Sequence, residues 1–187
     1  MGIYVNRTLN LKKIKAIGFD MDYTLVRYNT TEFETLTFIV AIKKLVENKG
    51  YPEKIKEAVF DISRAIRGLV IDKRNGNILK LNLFGRIKKS FHGTKEIDFK
   101  TQCKFYGSDI IDLRDENFYC IDSAFSLSQA ALFASLIDMK EAGFNMPEFS
   151  KIAEEINEVI DEAHKDNTLK NEVIKNTNRF ILKDPDL

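Results

Sequence analysis

The sequence predicts an α/β fold interrupted by a large, mainly helical insertion. Three observations carry that expectation. Residues 14–19 (IKAIGF) form a short apolar run with β-branched residues, the pattern of a buried strand. LVID, KRNGN and ILKLNL follow one another in the middle of the chain, the pattern of a hairpin. From residue 126 onward, apolar residues recur mostly at helical spacing.

The elements follow in order. Phe33, Leu36, Ile39, Val40, Leu45 and Val46 predict a helix over 32–48, stopped by Gly50. Pro52 is expected to open a second helix, PEKIKEAVFDISRAIR, closed by Gly68. In the hairpin, Asn75-Gly76 favours a type I′ turn, which needs positive φ at both central residues. The segment through FHGTKEIDFKTQCKFYG carries no clear period and reads as irregular, and FYCI (118–121) reads as a short strand. Ser126 and Gln129 fit a capping box ahead of LSQAALFASLIDMKEAG, which Gly143 ends. Pro147 suits the first turn of a helix whose stripe is Phe149, Ile152, Ile156, Val159, Ile160 and Ala163. Thr168 is the expected cap of a last helix with Leu169, Val173, Ile174 and Phe180. No repeat, low-complexity tract or long linker divides the 187 residues. The expected organisation is a core segment at 1–30, a mixed insertion with the hairpin at 31–122, and a helical cap at 123–183.

Composition excludes several function classes. The 29 Lys and Arg balance 28 Asp and Glu, so nothing in the charge points to nucleic acid or an anionic membrane. No apolar run approaches membrane-spanning length. Cys103 and Cys120 are far apart and form no CxxC pair, and the N-terminus has no apolar signal core, so a reducing, cytoplasmic setting is expected. A homo-oligomer is compatible with this composition.

The chemistry concentrates at Asp20 and Asp22, which end the first apolar run. A lone DxD pair is more often a solvated turn. A loop at the carboxyl end of a buried strand, however, is where open α/β folds bind ligands. Two carboxylates about 4 Å apart repel by roughly 4 kcal/mol at an effective dielectric of 20. A phosphate would add to that repulsion, so a hard divalent cation such as Mg²⁺ is expected between them. One carboxylate can then attack phosphorus while the other moves the proton.

GFDMDYTL (18–25) resembles the DxDxT motif of the haloacid dehalogenase (HAD) phosphohydrolases, and FDMDYTLVRY is closer to their cytosolic purine 5′-nucleotidase branch. RGLVIDKRNGNILKLN (67–82), DSAFSLSQAALFASLID (122–138) and VIDEAHKDNTLK (159–170) resemble further segments of that branch, in its order. The resemblance implies a HAD-like Rossmannoid core, of which this chain holds the beginning, with a large cap. It implies Asp20 as nucleophile and metal ligand, Asp22 as general acid and base, and the Met21 backbone carbonyl on the metal. Thr24 would hold the loop or the phosphate.

Phe125 reads alone as a core aromatic ahead of a helix; the resemblance implies that it stacks on a purine. Such stacking contributes roughly 1–3 kcal/mol and is tolerant of base identity. Asn157, Asp161 and His164 share one side of a helix. Asn157 stands where the family has arginine, so no contact is carried over and it reads as part of a solvated face. Asp161 matches a base-contacting aspartate, and an acceptor-only carboxylate suits the N–H edge of guanine or hypoxanthine. His164 matches on the ligand side, whereas His92 reads as structural. Lys170, in a helical first turn, opposes the helix dipole unless both face an anion; the resemblance implies the substrate phosphate.

The implied activity is Mg²⁺-dependent hydrolysis of purine nucleoside 5′-monophosphates, IMP and GMP favoured, with transfer to a nucleoside as a side reaction. The alternatives are a non-catalytic nucleotide-binding fragment and a HAD phosphatase for another small phosphate ester. Residues 171–187 contain no second strand followed by a Ser/Thr motif, a lysine and an acidic pair, as the family requires. This stretch by itself is therefore expected to be poorly stable and to lack a complete active site.

Overall fold

The structure, a computed structural model, describes residues 10–61, 68–107, 110–121 and 126–183. Its centre is a five-stranded antiparallel sheet covered on both faces. The strands are β2 (Leu69–Asp72), β3 (Asn77–Leu81), β4 (Ile87–His92), β5 (Lys95–Glu96) and β6 (Phe118–Cys120), in the order β5-β4-β3-β2-β6. Alternation sorts their side chains. Leu69, Ile71 and Ile78 face the main core, while Val70 and Leu79 pack with Ile111 on the other side. Helix α2 (Phe99–Tyr106) supplies Tyr106 to that second side.

The main core is completed by α1 (Thr30–Lys49), α3 (Leu127–Glu141) and α4 (Phe149–Lys165), which pack on one another. Phe38, Leu45, Phe133, Leu136, Ile152 and Ile156 are all but fully buried among them. The α4 stripe is as expected, with Ile152, Ile156, Val159 and Ala163 buried. The α1 stripe is rotated from the expected one: Ile39 is 58% exposed, and Glu34, Thr37, Phe38, Ala41, Ile42 and Leu45 face inward. Helical period alone leaves the choice of face open. It is decided by where α3 and α4 lie, and they meet the side that carries the buried Glu34.

That carboxylate is the reason the expected capping box is absent. The N–H of Ser128, in the first turn of α3, donates to Glu34 Oε2 at 2.7 Å. Ser126 makes no side-chain cap bond, and the Gln129 amide instead donates to Asn157 Oδ1. Asn157 thus joins α3 to α4, half-buried, rather than lying on a solvated face.

Other expectations are corrected as well. Residues 14–19 are exposed and form no strand. An extended segment becomes a strand only by pairing its backbone, and none of the described strands pairs with it. The helix expected after Pro52 is a 3₁₀ turn, Glu53–Glu57, ended by Ala58 in extended conformation. Phe60 then packs on Phe38 with ring centroids 5.4 Å apart; residues 62–67 lie outside the described residues. The hairpin is present, but its loop has four residues and only Gly76 has positive φ, so the turn is not type I′. Asp72 takes over: its Oδ1 accepts from the N–H groups of Arg74 and Asn75 at 3.0 and 3.4 Å. The region read as irregular forms β4, β5 and α2, with Asp98 capping α2 through the N–H of Thr101. Pro147 precedes the helix it was expected to enter, since α4 begins at Phe149.

His92 is structural, as expected. Its Nδ1 lies 2.8 Å from Asn77 Oδ1, and Asn77 Nδ2 donates to the Tyr106 hydroxyl, which donates to Asp72 Oδ2. This chain ties β2, β3, β4 and α2 together and satisfies the buried Asp72 and Asn77 side chains, whose polar groups would otherwise be costly.

The last expected helix is broken at Asn176 into α5 (Thr168–Lys175) and α6 (Thr177–Phe180). Thr168 does not cap it. Asp166 does so, accepting from the Thr168 N–H at 2.9 Å and its hydroxyl at 2.6 Å, while Lys44 of α1 lies 2.5 Å from its other oxygen. After α6, β7 (Ile181–Leu182) pairs antiparallel with β1 (Arg27–Tyr28). The chain from 29 to 180 is therefore an excursion whose two ends meet in one short ladder. No helix among the described residues is long and apolar enough to cross a membrane.

Candidate active site

The carboxylate loop precedes β1. A chain reversal folds Thr24, Leu25 and Val26 back, so that their N–H groups point at the Met21 carbonyl at 3.4, 3.0 and 3.0 Å. Tyr23 takes φ +56° to allow the reversal, and its N–H donates to Val26 O at 2.8 Å. A non-glycine residue there is strained, and such strain tends to occur at functional sites. Asp20, Asp22 and Thr24 are all exposed on this loop.

The two carboxylates differ in their surroundings. Asp20 makes no hydrogen bond or ion pair among the described residues. Asp22 Oδ1 accepts from the Tyr28 hydroxyl at 2.7 Å. Partial burial first, and then the Asp22 carboxylate, push the Tyr28 phenol up to about 12, so it remains a donor across the physiological range. Sequence reasoning missed Tyr28, although its position six residues after Asp22 in DYTLVRY was visible. What was not visible is that β1 pairs with β7 and turns that ring back onto the loop.

The donor set fits a hard divalent cation in part. Asp20 is an open oxygen donor of the right kind, and such cations commonly take one or two carboxylates with water and substrate oxygens. The Met21 carbonyl already has three N–H groups around it. No group of three His, Cys, Asp or Glu side chains suited to a metal ion occurs among the described residues.

The expected substrate residues lie elsewhere on the excursion. Asp161 and His164 are exposed on α4, and Lys170 is exposed in the first turn of α5. Phe125 lies outside the described residues. The α5–α6–β7 segment leads from Lys170 back to the ladder at β1, and the Asn29 N–H donates to Phe180 O at 2.7 Å. A cavity of about 800 Å³ lies between the sheet and α3, lined by Leu69, Ile78, Phe91, Ala130 and Ala134 among others. None of the expected site residues is among the described residues that line it.

Comparison with known proteins adds a family to this geometry. A 5′-nucleotidase domain-containing protein of Dictyostelium discoideum is 28% identical over 98% of this chain and 32% of its own length. The human 5′-nucleotidase domain-containing protein 1 is 32% identical over 69% of this chain and 30% of its own length. Its bovine counterpart is 28% identical over the same share of the chain. The chain thus spans about a third of the length of the curated relatives it matches. The profile described as the 5′ nucleotidase family matches residues 3–187, almost the whole chain with its carboxylate loop and the excursion behind it, and the chain belongs to that family.

Proposed function

We propose that this chain carries the nucleophile loop and the substrate-covering insertion of a HAD-type 5′-nucleotidase that hydrolyses purine nucleoside 5′-monophosphates, IMP and GMP before others. The observation that carries the reading is the pair of unlike carboxylates on one strained loop, one open to solvent and one held by a hydroxyl. Family membership supports nucleotide monophosphate as the substrate class. On this reading the chain divides into a core segment at 1–30 and an insertion over 31–122 and 123–183; the β1–β7 ladder supports a single excursion between residues 29 and 180.

Asp20 attacks the phosphorus, and the bond from phosphorus to the 5′ oxygen breaks. Asp22, protonated at that stage, gives its proton to the departing oxygen, so the nucleoside leaves neutral. Water then attacks the aspartyl-phosphate and passes a proton to Asp22 as the bond between phosphorus and Asp20 breaks. Both side chains return to their starting states. A cation such as Mg²⁺ at Asp20 would screen the phosphate from the carboxylates and polarise the transferring group. Lys170 adds charge for the phosphate, Phe125 stacks on the base, and Asp161 with His164 reads its edge.

The test is phosphate release by the full-length protein from IMP, GMP, AMP and a pyrimidine monophosphate, with and without added inosine as acceptor. Asp20→Asn is expected to lower turnover by roughly 10³-fold or more. Wild-type turnover in that variant would overturn the mechanism. Nucleotide binding without turnover, unchanged by Asp20→Asn, would make the chain a binding module. A substrate preference indifferent to Phe125→Ala would point to another phosphate ester.

A further inference from the structure

Three separate contacts place the Tyr28 side chain. Its backbone is registered against Ile181 in the β1–β7 ladder. Its ring meets Tyr23 edge-on at 5.5 Å and Phe33 at 5.4 Å between centroids. Its hydroxyl donates to Asp22 Oδ1 at 2.7 Å. The neighbouring Asn29 N–H, bonded to Phe180 O, closes the same junction from the other side.

An exposed aspartate has freedom about both side-chain torsions, and ordering it costs conformational entropy. A hydroxyl delivered from a fixed ladder removes much of that freedom. It takes one carboxylate oxygen and leaves Oδ2 to exchange a proton with a reacting oxygen. Misplacement by about 1 Å is enough to cost a proton-transfer step heavily.

We propose that Tyr28 is a positioning residue for Asp22: its hydroxyl holds the carboxylate in the orientation from which Oδ2 serves the reaction. This rests on the reading of Asp22 as general acid and base. It also links the loop to the far end of the excursion, because the ladder that holds Tyr28 forms only when residues 181–182 return to it.

The experiment uses the full-length protein with IMP, Tyr28→Phe, Asp22→Ala and the double variant, and thermal melting of each. Tyr28→Phe keeps the ring and deletes only the donor. Loss of this hydrogen bond is expected to lower kcat about tenfold, with KM held within about twofold. In the Asp22→Ala background the same change should have no further effect on kcat, because the group it positions is gone. Turnover by Tyr28→Phe at the wild-type level, or a rise, would overturn the proposal. So would an equal fall in both backgrounds, which marks general loosening, and that comparison holds even if Tyr28→Phe melts earlier. Wild-type turnover by Asp22→Ala would instead overturn the underlying reading, an outcome that does not depend on Tyr28→Phe.

Discussion

The loop region and the sheet-and-helix region solve the same problem in opposite ways. From residue 11 to residue 25 every side chain is exposed, and Ile17 and Phe19 are 68% and 70% exposed. In the sheet, by contrast, Leu69–Asp72 is buried at all four positions and its polar groups are bonded through Asp72, Asn77 and Tyr106. Most of the sheet has its partners nearby in the chain: β2, β3, β4 and β5 are joined by short turns, and only β6 returns to β2 from beyond α2. The carboxylate loop is held by a few hydrogen bonds and by one ladder whose second strand is about 150 residues away. Asp20 and Asp22 sit at the weakly supported end, where few buried contacts oppose local opening.

Substitutions can test that contrast. The largest effect is expected at the helical core. Ile156 is fully buried among α1, α3 and α4, and Ile156→Ala should cost about 2–5 kcal/mol, measured by urea unfolding. A smaller loss would mean that this region is less tightly packed than its burial indicates.

Glu34 sharpens the comparison through pH. Burial raises its carboxyl above the ordinary value, opposed by hydrogen bonds from Ser128 and Leu127. The folded state therefore holds the proton more tightly than the unfolded chain. The sign follows: its stabilising contribution is full below the unfolded pKa of about 4.3 and is lost as pH rises through the higher folded value. Glu34→Gln keeps an acceptor for the Ser128 N–H and has no charge to desolvate. It should remove that part of the fall in stability with rising pH, read from melting temperatures at a series of pH values. An unchanged slope would show that Glu34 does not carry it.

The smallest effect is expected in the exposed segment. Phe19→Ser should change the unfolding free energy by no more than about 0.5 kcal/mol, the usual range for surface sites, read by urea unfolding. A markedly larger loss would show that this face is covered in solution.

Much of the fold was legible in the residues. The helices at 32–48 and after Pro147 follow from apolar spacing, and the hairpin from two short runs around Asn75-Gly76. Asp20 and Asp22 stood out because charge ends an apolar run. Other readings failed where a local pattern had a non-local answer. IKAIGF has the composition of a strand, yet none of the described strands pairs with it. Ser126 and Gln129 have capping-box spacing, yet Glu34 reaches Ser128 across 94 residues and Asn157 draws Gln129 away. The region after the hairpin lacked a period because its strands are short and mixed, and β5 has only two residues.

By itself, then, the amino-acid order set the three long helices α1, α3 and α4, the two strands of the hairpin and the placing of two carboxylates on one loop. These depend on neighbours a few positions apart, through the 3.6 and 2.0 repeats of the backbone. Tertiary structure alone decided which side of α1 turns inward, which distant carboxylate meets the first turn of α3, and how Tyr28 is turned onto Asp22. The Glu34–Ser128 contact spans 94 residues, and the ladder that orients Tyr28 pairs it with Ile181, so the energy of each exists only once packing has brought distant segments together.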